Sequence, residues 1–243
     1  MKILALDSSA VAACAAIIDG DKIVAEYTQN TGHTHSETLL PLAERALDTA
    51  GISVDDIDLF AISAGPGSFT GVRIGISLIK GLTFGKNKPI ASVSSLEALS
   101  YNLQGFDGII CPVMDARRNQ VYTALFKDGK RLTEDMLIPC EELKEILSTY
   151  NEPIYFTGDG YALAQKNIQL DTICETPLRL RLQNAVSVAL AAENNYNKNK
   201  NIFTDSEVQP IYLRASQAER ERNERIKENG RKNYCSCLRP GSL

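Results

Sequence analysis

A chain of 243 residues, 44% of them hydrophobic and with a net charge of −4 at pH 7, has apolar material for one large core or two smaller ones. It contains no run of eighteen apolar residues that could cross a bilayer, and MKILALDSSA enters a strand-like alternation without the regions of a leader, so the expected compartment is the cytoplasm. The charge is uneven: from Arg214 onward eight basic residues stand against four glutamates, +4, which leaves −8 for residues 1–213, a poor footprint for nucleic acid because phosphate binding rests on lysine and arginine.

In chain order, KILALDSSAVAACAAIIDGDKIVAEY reads as an apolar strand ending at Asp7, a polar break, a strand from about Ala12 to Ile18, the turn Asp19-Gly20 and a third strand. Ser36 to Ala50 carries Leu39, Leu42, Ala43, Ala46, Leu47 and Ala50 on one helical face and stops at Gly51. LFAIS is a buried strand, Thr70 to Phe84 a second helix and PIASV another strand. GIICPVMDARRNQVYTALFKDGKRLTE then repeats the opening, with a strand ending at Asp115, a strand from about Gln120 to Phe126, the turn Asp128-Gly129 and a further strand. Asp-Gly between two strand patterns is a strong hairpin signal, since both central residues tolerate positive φ. Glu141 to Tyr150 is helical, PIYFTG a strand, Tyr161 to Lys166 a short helix and Asn184 to Asn195 a longer one.

Strands that pair locally and then alternate with helices, twice over, predict an α/β protein of two tandem domains, each a mixed sheet with helices. The expected division is residues 1–105 and 106–216, with the boundary near Gly105 to Gly108. Residues 217–243, almost without apolar side chains, are expected to form a charged, disordered tail.

The glycine-rich stretch ISAGPGSFTGVRIGISLIKGL, Ile62 to Leu82, invites a phosphate-loop reading. A Walker loop would need glycine at Thr70 or Val72, and the dinucleotide pattern fails at Thr70 as well. The stretch therefore predicts a strand-to-helix turn capped by Ser68 or Thr70. Within the helix Gly71 and Gly75 lie four apart with Ile74 and Leu78 alongside, which would let a second helix approach closely. Packing of the same helix on its own sheet would use Val72, Ile76 and Ile79. The six cysteines show no Cys-x-x-Cys pattern, and Cys235 and Cys237 lack further zinc ligands. His33 and His35 are two apart and cannot form an i, i+4 chelate. No metal site is expected; His33 is expected to be solvated and His35 to help start the helix.

Two domains built on a hairpin-first repeat, each first strand ending in aspartate, resemble the actin and sugar kinase superfamily. That resemblance implies a nucleotide clamped between two hairpin loops, with Asp7, Ser8, Asp115, Gly158 and Gly160 as candidate contacts. The chain departs from the pattern. Ser8, Ser9, Ala10 and Val11 follow Asp7 where glycine lets backbone amides approach phosphate, and the bulky Ala116, Arg117, Arg118 and Asn119 follow Asp115.

AGPGSFTGVRIG with its apolar helix, HSETLLP at His35 to Pro41, MDARRNQVY at Met114 to Tyr122 and PIYLR at Pro210 to Arg214, in this order, resemble the bacterial TsaB family, also called YeaZ. The resemblance implies a non-catalytic subunit in the synthesis of threonylcarbamoyladenosine on tRNA, paired with the transferase TsaD and joined by the ATPase TsaE, with tRNA reached only through the complex. The relatives that hold a metal do so through His-x-x-x-His, which is missing here. The expected partner interface is Leu39, Leu40, Gly71, Ile74, Gly75 and Leu78, two helices that would join two of the transferase in a four-helix bundle. An ATP-dependent phosphotransferase using Asp7 or Asp115 with magnesium, and a metallopeptidase homologue, are the alternatives. The sequence leaves open whether an adenine nucleotide sits in the cleft or between subunits, and whether the isolated chain forms a homodimer.

Overall fold

The computed structural model describes residues 1–214. Met1–Tyr212 form one compact unit, and Leu213 begins a second. The expected tail, with Cys235 and Cys237, lies outside the described residues.

The chain builds β1 (Lys2–Asp7), β2 (Ala13–Asp19), β3 (Lys22–Gln29), α1 (His35–Ala50), β4 (Leu59–Ser63), α2 (Phe69–Thr83), β5 (Ile90–Val93) and α3 (Ser95–Tyr101). The second half adds β6 (Ile109–Asp115), β7 (Gln120–Thr123), β8 (Phe126–Lys127), β9 (Lys130–Arg131), β10 (Met136–Pro139), α4 (Cys140–Leu147), β11 (Ile154–Thr157), β12 (Ile173–Cys174) and, between those two strands, α5 (Tyr161–Asn167). It ends with α6 (Ala185–Asn197) and β13 (Ile202–Phe203).

The first sheet runs β13-β5-β4-β1-β2-β3 and the second β10-β7-β6-β11-β12, with the β8–β9 hairpin beside β6. In each sheet a first strand pairs antiparallel with its hairpin partner and parallel with the strand after the next helix. The repeat read from the sequence is thus a repeat of pairing. One strand differs: the expected Gln120–Phe126 strand breaks after Thr123, and β8 turns through Asp128 and Gly129, both at positive φ, into β9.

Alternation along the central strands places their side chains in separate layers. Leu4 and Leu6 of β1 pack with α1 and α2, whereas Ile3 and Ala5 face α6. Ile109, Cys111 and Val113 of β6 pack with α4 and α5, and Ile110 and Met114 face α3. The order of layers is α1 and α2, first sheet, α6 and α3, second sheet, α4 and α5. Residues after about Gln183 therefore do not stay with the second sheet. Ala185, Val188 and Ala189 cover the first sheet, β13 pairs with β5, and Val208 is buried in the core beneath α1 and α2. The contiguous division at 105 and 106–216 is crossed by this return.

Asn102, just after α3, ties the return path together. Its Nδ2 donates to the carbonyls of Leu180 at 3.2 Å and Leu182 at 2.8 Å, and its Oδ1 accepts from Ser187 Oγ at 2.7 Å. Asn102→Ala would strand several half-buried polar groups at once. It should lower the stability of the isolated chain by about 2–4 kcal/mol, at the cost of about 1–3 kcal/mol for each unsatisfied group, as read by urea unfolding.

Candidate functional site

The loop after β1 is closed by the chain itself. Asp7 is 1% exposed and Ser8 0%. Ser9 donates to Asp7 Oδ1 from both its backbone N–H and its hydroxyl, each at 2.7 Å. Burial nevertheless raises the Asp7 carboxyl above the usual aspartate range, outweighing the Ser9 bonds. The turn into α2 lies on this loop: Ser68 N–H donates to the Ser9 carbonyl at 2.6 Å, and Ser8 Oγ donates to the Gly71 carbonyl at 2.9 Å. Ser68 is also the helix cap, accepting from Gly71 N–H at 3.2 Å. His35 Nε2 donates to the Ala10 carbonyl at 2.7 Å, so His35 fastens α1 to the same loop. The backbone of the α2 turn is thus hydrogen-bonded directly onto the loop that holds Asp7 and Ser8.

The equivalent loop after β6 is open. Asp115 is exposed and accepts from Arg117 N–H at 2.7 Å. Arg117, Arg118 and Asn119 all adopt positive φ. Gly158 and Gly160 are buried against the end of β6, where a Cβ on either would meet the Val113 backbone. Between them Asp159 places Oδ1 in the interior without a hydrogen bond, and Gln183, 2% exposed, faces it with both amide atoms short of hydrogen-bond geometry. Burial first, then the charge of Asp115, push Asp159 from 3.8 up to about 6. Of the candidate contacts, Asp115, Gly158 and Gly160 gather at this loop, with Asp7 and Ser8 sealed away.

The α1–α2 surface carries a groove of about 540 Å³, lined among others by Leu39, Leu40, Arg73, Ile74 and Leu78. Leu40 is 40% exposed, Ile74 and Leu78 are half-buried, and Leu39 is fully buried at the floor. The glycines expected on this surface are not there. Gly71 and Gly75 are buried and point the other way: a Cβ on Gly71 would overlap the Ser8 carbonyl, and one on Gly75 would lie 2.5 Å from Ser8 Oγ and 2.9 Å from Ile62 Cδ1. They share the inward face of α2 with Val72, Ile76 and Ile79, and the close approach they permit is that of this protein's own β1–β2 loop.

Two groove residues, Phe69 and Arg73, together with Tyr212 packed against them, escape a reading by apolar periodicity. Phe69 stacks on Tyr212, with ring centroids 4.7 Å apart, and Arg73 lies over the Phe69 ring with Cζ 3.9 Å from its centroid. Tyr212 comes from the far end of the chain, and its partnership with α2 leaves no local signal.

Substitutions in α2 should separate its faces. Gly71→Ala should destabilise the isolated chain by about 1–3 kcal/mol through overpacking, whereas Gly81→Ala, whose Cβ would meet nothing within 4 Å, should stabilise it by about 0.5–1 kcal/mol through helix propensity. Denaturant unfolding of both variants checks the contrast.

Asp159 gives a pH signature. Its folded pKa is raised, so between about pH 4 and pH 6 the folded state holds a proton that the unfolded state has released, and stability falls as pH rises through that window. Asp159→Asn should therefore be more stable than the parent at pH 7.5 by about 2 kcal/mol, with a shallower slope below pH 6. Urea unfolding across that range reads both effects.

The model of the family described as TsaD, tRNA N6-adenosine threonylcarbamoyltransferase, matches residues 22–222. The tRNA threonylcarbamoyladenosine biosynthesis protein TsaB of Bacillus subtilis (strain 168) is 36% identical over 173 residues, which cover 70% of this chain and 76% of that protein. YeaZ from Pseudomonas aeruginosa superposes with a TM-score of 0.75 at 23% identity, over 87% of this chain and 99% of that one. The activator of 2-hydroxyisocaproyl-CoA dehydratase from Clostridium difficile, solved with bound ADPNP, has a TM-score of 0.50 at 12% identity over 88% of this chain and 100% of that one, a likeness of fold alone. The doubled hairpin-first sheets are actin-like, and the chain belongs to the TsaB family, also called YeaZ, of tRNA threonylcarbamoyladenosine biosynthesis proteins.

Proposed function

We propose that this chain is the non-catalytic partner of a TsaD-type transferase in the synthesis of threonylcarbamoyladenosine on tRNA, and that a helix of the transferase lies in the α1–α2 groove. The observation that carries the reading is the groove itself. Leu40, Ile74 and Leu78 remain open on a surface whose floor, Leu39, is already core. A buried core interrupted by an apolar channel between two helices is the form that accepts an amphipathic helix. Gly71 and Gly75 take no part in this interface, since they are spent on the chain's own loop. In this proposal a TsaE-type ATPase joins the pair, and tRNA is reached through the complex, because residues 1–213 carry −8.

The non-catalytic reading is supported by the state of the carboxylates and histidines. Asp7 is sealed, and His35 is engaged with the Ala10 carbonyl while His33 lies beside Glu37 at 4.0 Å. A phosphotransferase would need phosphate at the loop closed by Ser68 and Gly71, and that alternative loses its first contact there.

Reconstitution with the cognate transferase, ATPase, threonylcarbamoyl donor and tRNA tests the proposal. Omitting this chain should remove most of the modification, and Leu78→Asp should weaken pairing by roughly 30-fold or more while the isolated variant still folds, as about 2 kcal/mol of apolar contact is exchanged for a charge. Asp115→Asn should leave activity within a few-fold. Loss of activity by orders of magnitude in Asp115→Asn, with the complex intact, would assign chemistry to this chain instead.

A further inference from the structure

Arg73 is the one lysine or arginine, and the one formally charged side chain, among the residues lining the groove. It is exposed, yet it is held in place. Its guanidinium lies on the Phe69 ring, 3.9 Å from the centroid to Cζ, and its Nε donates to Tyr212 Oη at 2.7 Å. Tyr212, 42% exposed, is in turn stacked on Phe69. Ile211 N–H donates to the Ala64 carbonyl at 2.7 Å, anchoring the segment that delivers Tyr212. Ring, phenol and backbone therefore fix the fork of a side chain that would otherwise be mobile.

Among the described residues no carboxylate lies within ion-pair distance of Arg73, and its two terminal nitrogens make no hydrogen bond. A guanidinium presents its terminal N–H groups as a planar fork suited to a carboxylate, and stacking on an aromatic face leaves that fork free. Pre-organisation lowers the entropy lost when a partner arrives. The body that carries it has a net charge of −8, so a fixed cation in the groove offers an acidic group on a partner a favourable local contact.

On the reading that the groove receives a partner helix, we infer that Arg73 selects that helix by pairing with a carboxylate carried beside its apolar face. The apolar residues Leu40, Ile74 and Leu78 supply contact, and Arg73 supplies register: only a helix whose Asp or Glu falls at the Phe69 end of the groove satisfies both. Tyr212 is a positioning residue for that contact.

Binding of the cognate transferase to the full chain, measured by calorimetry from about 50 mM to about 500 mM NaCl, tests the inference with five variants. Arg73→Gln should weaken pairing by on the order of 10- to 100-fold at low salt and flatten its salt dependence. Arg73→Lys, which keeps charge but loses the fork, should recover part of the affinity. Tyr212→Phe, which keeps the stack but releases Nε, should cost a few-fold. Leu78→Asp reports on the groove independently. If Leu78→Asp binds like the parent, the groove reading fails and takes this inference with it. If Leu78→Asp fails to bind while Arg73→Gln keeps parental affinity and salt dependence, the groove stands and the carboxylate pairing is overturned. Weakening in Arg73→Gln with an unchanged salt dependence would also overturn it, since Arg73 would then only support Tyr212. Restoration of Arg73→Glu binding by lysine at a single acidic position of the transferase would identify the paired carboxylate.

Discussion

The structure turns on the contact between the α2 turn and the β1–β2 loop. Ser68 N–H to the Ser9 carbonyl, and Ser8 Oγ to the Gly71 carbonyl, bring two backbones together at a distance that side chains at Gly67, Gly71 and Gly75 would forbid. Glycine within a helix costs about 1 kcal/mol relative to alanine, and two of them in one inward stripe persist because the approach they allow buries the polar loop with its hydrogen bonds made. From this contact follow the sealing of Asp7, the packing of α2 against β4 and the position of the outward stripe that forms the groove.

The same contact sets the first hairpin loop of this actin-like fold apart from the second. The fold places a hairpin loop at the end of β1 and another at the end of β6. In this chain the first loop carries Ser8 and Ser9, whose hydroxyls are consumed internally, by the Gly71 carbonyl and by Asp7. The second carries Arg117, Arg118 and Asn119 in left-handed conformations, with Asn119 Nδ2 donating to Glu141 Oε1 at 2.8 Å. Non-glycine residues in that region cost energy, and Asn119 ties the loop to Glu141 at the start of α4.

How much of this was legible in the sequence depends on whether a feature is local. The alternation in KILALD and GIICPVMD, and the turns at Asp19-Gly20 and Asp128-Gly129, read directly as the two hairpins because neighbours in sequence are partners in space. α3 and β10 were not read from the sequence, although α5 and β5, of the same seven and four residues, were. Helix α6 was readable as a helix, but its alanines carry no mark of which sheet they cover, and the return to the first sheet was missed. The glycine stripe was the instructive case. A period of 3.6 places Gly71 and Gly75 beside both Ile74 and Ile76, so spacing alone admits an inner or an outer face. What decides is Ser8, more than sixty residues earlier in the chain, and no pattern within the helix encodes that.

The groove and the sealed loop are two sides of one helix, and this links stability to recognition. Any change that lifts α2 from Ser8 also rotates Leu78 and Ile74 relative to Leu40, and displaces Phe69, on whose ring Arg73 rests. Tyr212 closes the circuit from the other end of the compact unit, since Ile211 is bonded to Ala64 just before the α2 turn, and Gly65 accommodates the Ile211 carbonyl where a Cβ would not. The proposed recognition surface is therefore assembled from three separated segments, 35–40, 69–78 and 211–212, the first held by the β1–β2 loop through His35 and Ala10 and the last by Ala64, just before the α2 turn. Such a surface exists only when the first sheet is complete, so a partner that reads it also reads the folded state of the domain that presents it, and binding there would stabilise that domain by mass action.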